Sequence, residues 1–450
     1  MPYHRLSNVA LEVALTIGSN SGPWLPEPAT LPLPALADPA CRDFLRALLE
    51  QRWQLEAADV AAIDALLDQV RGDDLVVCAA VHHGNFPSLE YLADGLRTAG
   101  RRTLGVYLQS APPAATFTAT YACAGSLARF AYLMHRLGRG PVYLQAHARW
   151  CFLGQLIAAV APALSVTQEV YDWMELFVDE GNETPFVAAG WASAPEIALM
   201  RNAERTVRQS SHGFVFKGPR AALDQAFGPA AAAGVEIAPC PPRSWQQAPL
   251  PPPPGPLRLV HAGQLKGGAR AVFGDLHYVP VIESLTAQGC EVTAYGSAAP
   301  DPATFARQWA DYHALATRNA RFTLRSHQPV RTLIAELPGR FHFGLCAYRF
   351  DDDLAVGRRH LASALASKLF TYLAGGLPVL VSRELSYMSE LVTAQGCGVV
   401  LERGDLDRLP ARLATVDHAA LRENVRRAQQ HFCFERYLPA LIAQVTGSFA

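Results

Sequence analysis

Ser367–Lys368–Leu369–Phe370–Thr371–Tyr372–Leu373–Ala374–Gly375–Gly376–Leu377–Pro378 decides how the rest of this chain is read. Its first eight residues have the apolar spacing of a short helix. Ser367 stands where a hydroxyl caps exposed backbone N–H groups. Gly375–Gly376 gives a tight exit, Pro378 forbids continuation of the helix, and Val379–Val381 follows as a buried strand. A helix N-terminus with free N–H groups attracts phosphate, and Lys368 adds a point charge to the same place. Taken alone, the stretch is also an ordinary helix-turn-strand, so its meaning depends on its surroundings.

Outward from it, the same alternation runs through most of the chain. Upstream, strands are expected at Leu257–Ala262, Glu291–Tyr295, Arg321–Leu324 and Phe341–Ala347, with helices over 270–287, 302–317 and 329–336 between them. Downstream come helix 386–394, strand Gly398–Leu401 and terminal helices. An earlier series has strands at Leu75–Val81, Thr103–Leu108, Val142–Gln145, Leu164–Thr167 and Gly213–Lys217, with helices over 89–100, 125–137, 149–160 and 192–209. Strand-helix-strand repeats imply parallel sheets. Residues 41–71 read as helical, with Val60, Ile63, Leu67 and Val70 at three- and four-residue spacing. Between the two series, Ala248–Pro256 reads Ala-Pro-Leu-Pro-Pro-Pro-Pro-Gly-Pro, a semi-rigid linker.

The 450 residues are too many for one ordinary core and suit two domains. Half are hydrophobic, enough to fill both. With 39 basic and 40 acidic side chains the net charge is −1, which argues against bulk nucleic-acid binding. The nine cysteines form no CxxC pair, which argues for a reducing compartment and against a zinc site or disulfide framework. Val9–Ile17, broken by Glu12, does not read as a signal peptide. The longest apolar run, Phe152–Val166, contains Gln155 and Pro162 and falls short of the ~20 residues that span a bilayer. The expected location is the cytoplasm, and no sequence rule excludes peripheral membrane contact.

Several loops carry residues suited to chemistry. Gly263–Gln264–Leu265–Lys266–Gly267–Gly268 follows the first strand of the second series; glycines let a backbone approach phosphate, and Lys266 can neutralise it. Gly296 and Ser297 follow the next strand, and Arg325 and His327 the one after. In the first series, Leu75–Val81 ends at His82–His83–Gly84–Asn85. Either imidazole has the pKa of a general base near neutrality.

The second half, roughly 257–435, resembles the nucleotide-binding domain of GT-B glycosyltransferases, nearest to the retaining glycosyltransferase family 4 (group 1) type. Its strongest piece is Ser367–Ser382, similar to the family's Ser-Lys-(apolar)-(aromatic)-x-Tyr-Leu-Ala-x-Gly-x-Pro-Val segment. Glu390–Leu391–Val392 with Gly396 and Gly398 looks like the family's next helix-loop-strand. The His82–Pro87 loop and the helix after it are similar, more loosely, to the first loop and helix of many GT-B enzymes. The resemblance implies an α/β fold of two Rossmann-like domains facing a central cleft. Residues 1–71 would be an N-terminal extension on the first domain, 72–247 the acceptor domain, 248–256 the linker, 257–430 the nucleotide-sugar domain, and 431–450 a terminal helix crossing back.

It further implies a bacterial-type transferase moving sugar from a nucleotide-diphosphate donor, UDP or GDP, to an acceptor: a glycan, lipid-linked carrier, protein or small molecule. No resident cofactor and no metal are implied, and oligomeric state is left open. Donor contacts would fall on Gly263, Lys266, Gly267, Gly296, His327, Ser367, Lys368, Thr371, Tyr372 and Glu390. Acceptor-side catalytic groups would be His83 or His82, with Glu169 and Asp172. His147 would be a further acceptor contact.

The chain departs from the pattern at three places. The family's two glutamates, the latter of which binds ribose, fall on Ser363 and Thr371. Tyr171 stands where its first domain often has His, and a phenol is a poor base at neutral pH. Asp351–Asp353 and His360 lie where a loop would meet the sugar. These departures keep two alternatives open: a GT-B protein that binds nucleotide sugar as a scaffold without turnover, and a sugar-nucleotide epimerase.

Overall fold

In the computed structural model, residues 39–82, 88–109, 116–170, 173–174, 183–188, 192–228, 234–263, 265, 277–296, 302–350 and 357–447 are described. The chain divides into two compact units. One comprises 4–183, 192–237 and 437–450, the other 1–3, 184–191 and 238–436.

The first unit is built on seven strands: β1 Leu75–Ala80, β2 Arg102–Tyr107, β3 Ala119–Ala122, β4 Gly140–Gln145, β5 Leu164–Val170, β6 Gly213–Phe216 and β7 Gly234–Glu236. They lie in the order β3-β2-β1-β4-β5-β6-β7, with every neighbouring pair parallel. β1 shows why the apolar runs become strands. All six of its residues are buried, as a strand covered on both faces requires. Helices Ser88–Thr98, Leu127–Leu137, Phe152–Val160 and Ala194–Ser210 connect the strands. The last begins at a capping box in which Ser193 and Glu196 bond each other's backbone. The terminal helix Leu438–Thr446 belongs to this unit too, and the Thr167 hydroxyl in β5 donates to Gln444 O at 3.4 Å.

The stretch 41–71 is helical as expected, in two helices, Pro39–Arg52 and Ala57–Val70, the second of which starts at a capping box of Glu56 and Asp59. Trp53 and Leu55 at the break are buried. The expected spacing holds in the second helix, whose buried residues are Val60, Ile63, Leu67 and Val70.

The second unit has six parallel strands: β8 Arg258–Ala262, β9 Glu291–Tyr295, β10 Phe322–Arg325, β11 Phe343–Cys346, β12 Val379–Ser382 and β13 Gly398–Leu401. Their order is β10-β9-β8-β11-β12-β13. The expected helix over 302–317 is split at Trp309 into Pro302–Gln308 and Ala310–Arg318. The Trp309 side chain is buried, and its indole N–H donates to Leu265 O at 3.3 Å. Of the helix expected over 270–287, Val279–Ala287 is present, while 270–276 lies outside the described residues. Gly376 has φ +72, and a Cβ there would lie 2.8 Å from Pro249, so the Gly-Gly turn serves a close backbone approach to the Pro-rich segment.

Among the described residues, eight cysteines are buried and unbridged. Among the same residues no helix is long and apolar enough to cross a membrane, and no group of acidic, His or Cys side chains is arranged to hold a metal ion.

Candidate functional site

Each sheet reverses its strand order once, between β1 and β4 in the first unit and between β8 and β11 in the second. In open parallel sheets, ligands bind outside the carboxyl ends of the strands at such switch points.

In the second unit, β8 ends at Ala262–Gly263 and β11 runs on into Ala347–Tyr348. Helix Ser367–Ala374 brings two residues to this edge. Tyr372 is fully buried; its hydroxyl accepts from the Ala262 N–H at 2.7 Å and donates to Leu345 O at 3.4 Å. Its ring crosses β11 where Gly344 offers no side chain, since a Cβ there would lie 2.3 Å from the ring. Tyr372 thus ties the helix to both strands of the switch point, and its hydroxyl is engaged by main chain. A donor contact is expected at Tyr372 from the sequence, and the structure places it at this edge with its hydroxyl on main chain.

Lys368 is half-buried one turn earlier. Its Nζ donates to the Tyr348 hydroxyl, stands 4.7 Å from the centre of that ring, and lies 3.1 Å from where a Cβ on Gly263 would be. Gly263 and Lys368, distant in sequence, are therefore neighbours, and a Cβ at 263 would crowd the ammonium. Behind them His261 in β8 is fully buried and packs on Tyr278 at 4.1 Å between ring centres. A positively charged side chain, a Cβ-free strand end and a helix start converge at the point where a diphosphate would be held.

The other donor-side residues are placed less closely. Ser367 opens the helix instead of preceding it; the cap position is Ala366 and no side chain caps there. Thr371 is buried, and its hydroxyl donates to Ser367 O at 3.2 Å, within its own helix. Ser363 does likewise, donating to Arg359 O at 2.7 Å. Gly296 is buried after β9, with its N–H on Arg325 O at 2.9 Å. His327, beyond β10, and Glu390, on helix Ser386–Gln395, are exposed. Lys266, Gly267 and Asp351–Asp353 lie outside the described residues.

In the first unit, His82 follows β1 and His147 follows β4, one on each side of the switch point. Burial lowers the pKa of both; for His147 the nearby His82 and Lys217 add to the effect, Glu169 opposes it, and the value falls to about 4. His83, Tyr171 and Asp172 lie outside the described residues.

Glu169 is present but not as a base open to substrate. Its side chain is wholly buried against that of Lys217, also wholly buried, with Nζ 2.5 Å from Oε1. Tyr143 donates its hydroxyl to Oε2, and Gln145 Nε2 donates to Oε1 and Oε2 at 3.1 and 3.2 Å. Burial and the adjacent carboxylate push the Tyr143 phenol well above its ordinary pKa. Glu169 is expected from the sequence to be catalytic; in the structure its oxygens are committed to these neighbours. Lys217, Tyr143, Gln145, Ser88 and Tyr348 were not singled out from the sequence. The available signal was that Lys217 and Tyr348 each follow a buried strand at its carboxyl end.

No protein-family model matches the chain, and no curated protein matches it by sequence. Solved structures do match in fold. The Anabaena protein HepE, solved with UDP and glucose, is 13% identical, with 84% of this chain and 100% of that one covered at a TM-score of 0.54. An E. coli trehalose-6-phosphate protein bound with UDP-2-fluoro glucose is 8% identical, with 83% and 98% covered at 0.51. The lipopolysaccharide outer core galactosyltransferase WaaB is 10% identical, with 83% and 99% covered at 0.50. The fold is the two-domain GT-B fold, with one parallel sheet in each half.

Proposed function

We propose that this chain is a glycosyltransferase that takes a sugar from a nucleotide-diphosphate donor, UDP or GDP, bound at the switch point of its second sheet. The observation that carries the reading is the meeting of Lys368 and Gly263 at the end of β8, beside the start of helix Ser367–Ala374. Leaving-group charge grows on the diphosphate as the glycosidic bond breaks. A fixed ammonium and helix N–H groups aimed there lower that barrier. Similar folds solved with UDP and glucose, or with UDP-2-fluoro glucose, support a uridine nucleotide at this place. In this reading residues 257–430 hold the donor and 72–247 receive the acceptor. The reaction runs in the cytoplasm, where buried free thiols such as Cys78 and Cys346 persist. The reading calls for no resident cofactor or metal.

A second reading has its own support. The hydroxyls of Ser363 and Thr371 bond within their own helices, where the resembled family has carboxylates. That favours a protein that binds nucleotide sugar without turning it over.

Thermal unfolding with UDP-, GDP- and dTDP-sugars tests donor binding. A ligand at a hundred times its dissociation constant adds about 2.7 kcal/mol. One of the three is expected to raise the melting temperature, and Lys368→Ala to remove most of the rise. A rise that survives Lys368→Ala overturns the site. Release of free nucleotide from the donor that binds then separates transferase from scaffold.

A further inference from the structure

We propose that Lys217 is a positioning residue of the acceptor side: with Glu169 it clamps Ser88, and so the start of helix Ser88–Thr98, onto the carboxyl edge of the first sheet beside His82 and His147. The inference rests on the transferase reading, since that reading brings a substrate to this edge.

Four elements meet in the clamp. β4 supplies Tyr143 and Gln145, β5 supplies Glu169, the exit of β6 supplies Lys217, and the helix supplies Ser88. Lys217 Nζ donates to Ser88 Oγ at 3.0 Å, and Gln145 Nε2 donates to the same oxygen at 3.2 Å. Ser88 Oγ donates in turn to Glu169 Oε2 at 3.4 Å. One hydroxyl is thereby fixed by three side chains from three strands or strand exits.

Stability does not account for this arrangement. Removing both charges from water costs about as much as their attraction returns, and an apolar pair of similar volume often holds a fold as well or better. What an apolar pair cannot do is aim hydrogen bonds at a single point. The point chosen is Ser88, the first residue of the helix that follows β1, at the edge where ligands of such sheets bind. Glu169 and Lys217 are both among the charges that act on the His147 imidazole, the first raising and the second lowering its pKa.

The test is the double variant Glu169→Met with Lys217→Met, which leaves neither charge unpaired. It is compared with the unmodified chain by thermal melting, by the melting shift with UDP, by release of UDP from UDP-glucose, and by amide hydrogen exchange over 88–98. The expected result is a lower melting temperature, because the buried Tyr143 hydroxyl and Gln145 amide lose their acceptor, with an unchanged UDP shift. Release of UDP falls by at least about tenfold, as small misplacements near a reacting centre do, and exchange in the first turn of the helix quickens. Unchanged release and unchanged exchange overturn the proposal. An unmodified chain that binds UDP but releases none from UDP-glucose counts against the transferase reading instead, and the exchange rates then decide the clamp by themselves. Should the double variant fail to fold, Ser88→Ala removes the clamped hydroxyl, keeps the ion pair, and is judged by the same two readings.

Discussion

Each half brings a lysine to the carboxyl edge of its sheet, Lys217 from the exit of β6 and Lys368 from the first turn of helix Ser367–Ala374, yet the two lysines live in different surroundings. Lys217 is sealed from water against a carboxylate, a hydroxyl and, through Glu169, a phenol and an amide. Lys368 is half-buried, with its ammonium on the Tyr348 hydroxyl and over the bare backbone of Gly263. The first charge is neutralised inside the protein and can only hold other groups in place. The second stands where an anion reaches it at a small desolvation cost. Residue type is the same, but one lysine follows a strand and the other stands in the first turn of a helix, and burial and partner separate them further.

The sharpest way to break this comparison is to neutralise each lysine alone. Lys217→Met leaves the Glu169 carboxylate buried without its cation, which costs roughly 3–5 kcal/mol. Lys368→Met removes a partly solvated group and costs less than about 1 kcal/mol. Urea unfolding of the two variants measures both. Similar losses would mean that the two lysines do not differ as their burial says.

How much of this was legible beforehand follows from the range of the interactions. β1 and β12 are local: an apolar run such as Leu75–Ala80 announces a strand buried on both faces. The edge strands β3 and β7 escaped notice because they are short and only partly buried, so no apolar run marks them. Lys368 was legible as a candidate because it sits in a recognisable local helix-turn-strand segment, although its neighbours Gly263 and Tyr348 are not local. Lys217 was not, because Ser88 lies 129 positions away and Glu169 48, and only the strand order β1-β4-β5-β6 brings them together. Glu169 was found as a residue, but its buried partners were not, since sequence spacing shows a carboxylate without showing what it touches.

Acid sharpens the comparison at a smaller scale. His147 in the first unit and His360 in the second each have a pKa lowered to about 4, chiefly by burial. An unfolded histidine titrates near 6.5. Between those values the unfolded chain binds protons that the folded chain refuses. The stability contributed by each neutral imidazole is therefore complete above about pH 6.5 and lost as pH falls toward 4. The slope reaches about 1.4 kcal/mol per pH unit for each group. For His147 the charges that face it are His82, Lys217 and Glu169, and the last works against the shift. Urea unfolding from pH 7 to pH 4 is expected to show His147→Gln flattening the loss for the first unit and His360→Gln flattening it only for the second. An unaltered slope in His147→Gln would show that its imidazole is solvated.

The smallest effect is expected at Thr371, three residues beyond Lys368 in the same helix. The resembled pattern puts a ribose-binding carboxylate at this position, and the sequence alone allowed the threonine hydroxyl to take that part. In the structure the side chain is buried and its hydroxyl donates to Ser367 O at 3.2 Å, a back-bond that a helix makes without any ligand. Turning outward to a ribose would break that bond for one of similar strength, so little affinity is gained. Thr371→Ala should then change the dissociation constant of UDP by less than about threefold, under roughly 0.7 kcal/mol. Lys368→Ala should weaken it by at least about tenfold, as loss of a hydrogen bond to a charged group does. Titration calorimetry of the two variants reads both numbers. A tenfold loss in Thr371→Ala would mean that the hydroxyl leaves its helix to meet the nucleotide. The ligand-facing part of the second switch point would then extend a full turn beyond Lys368.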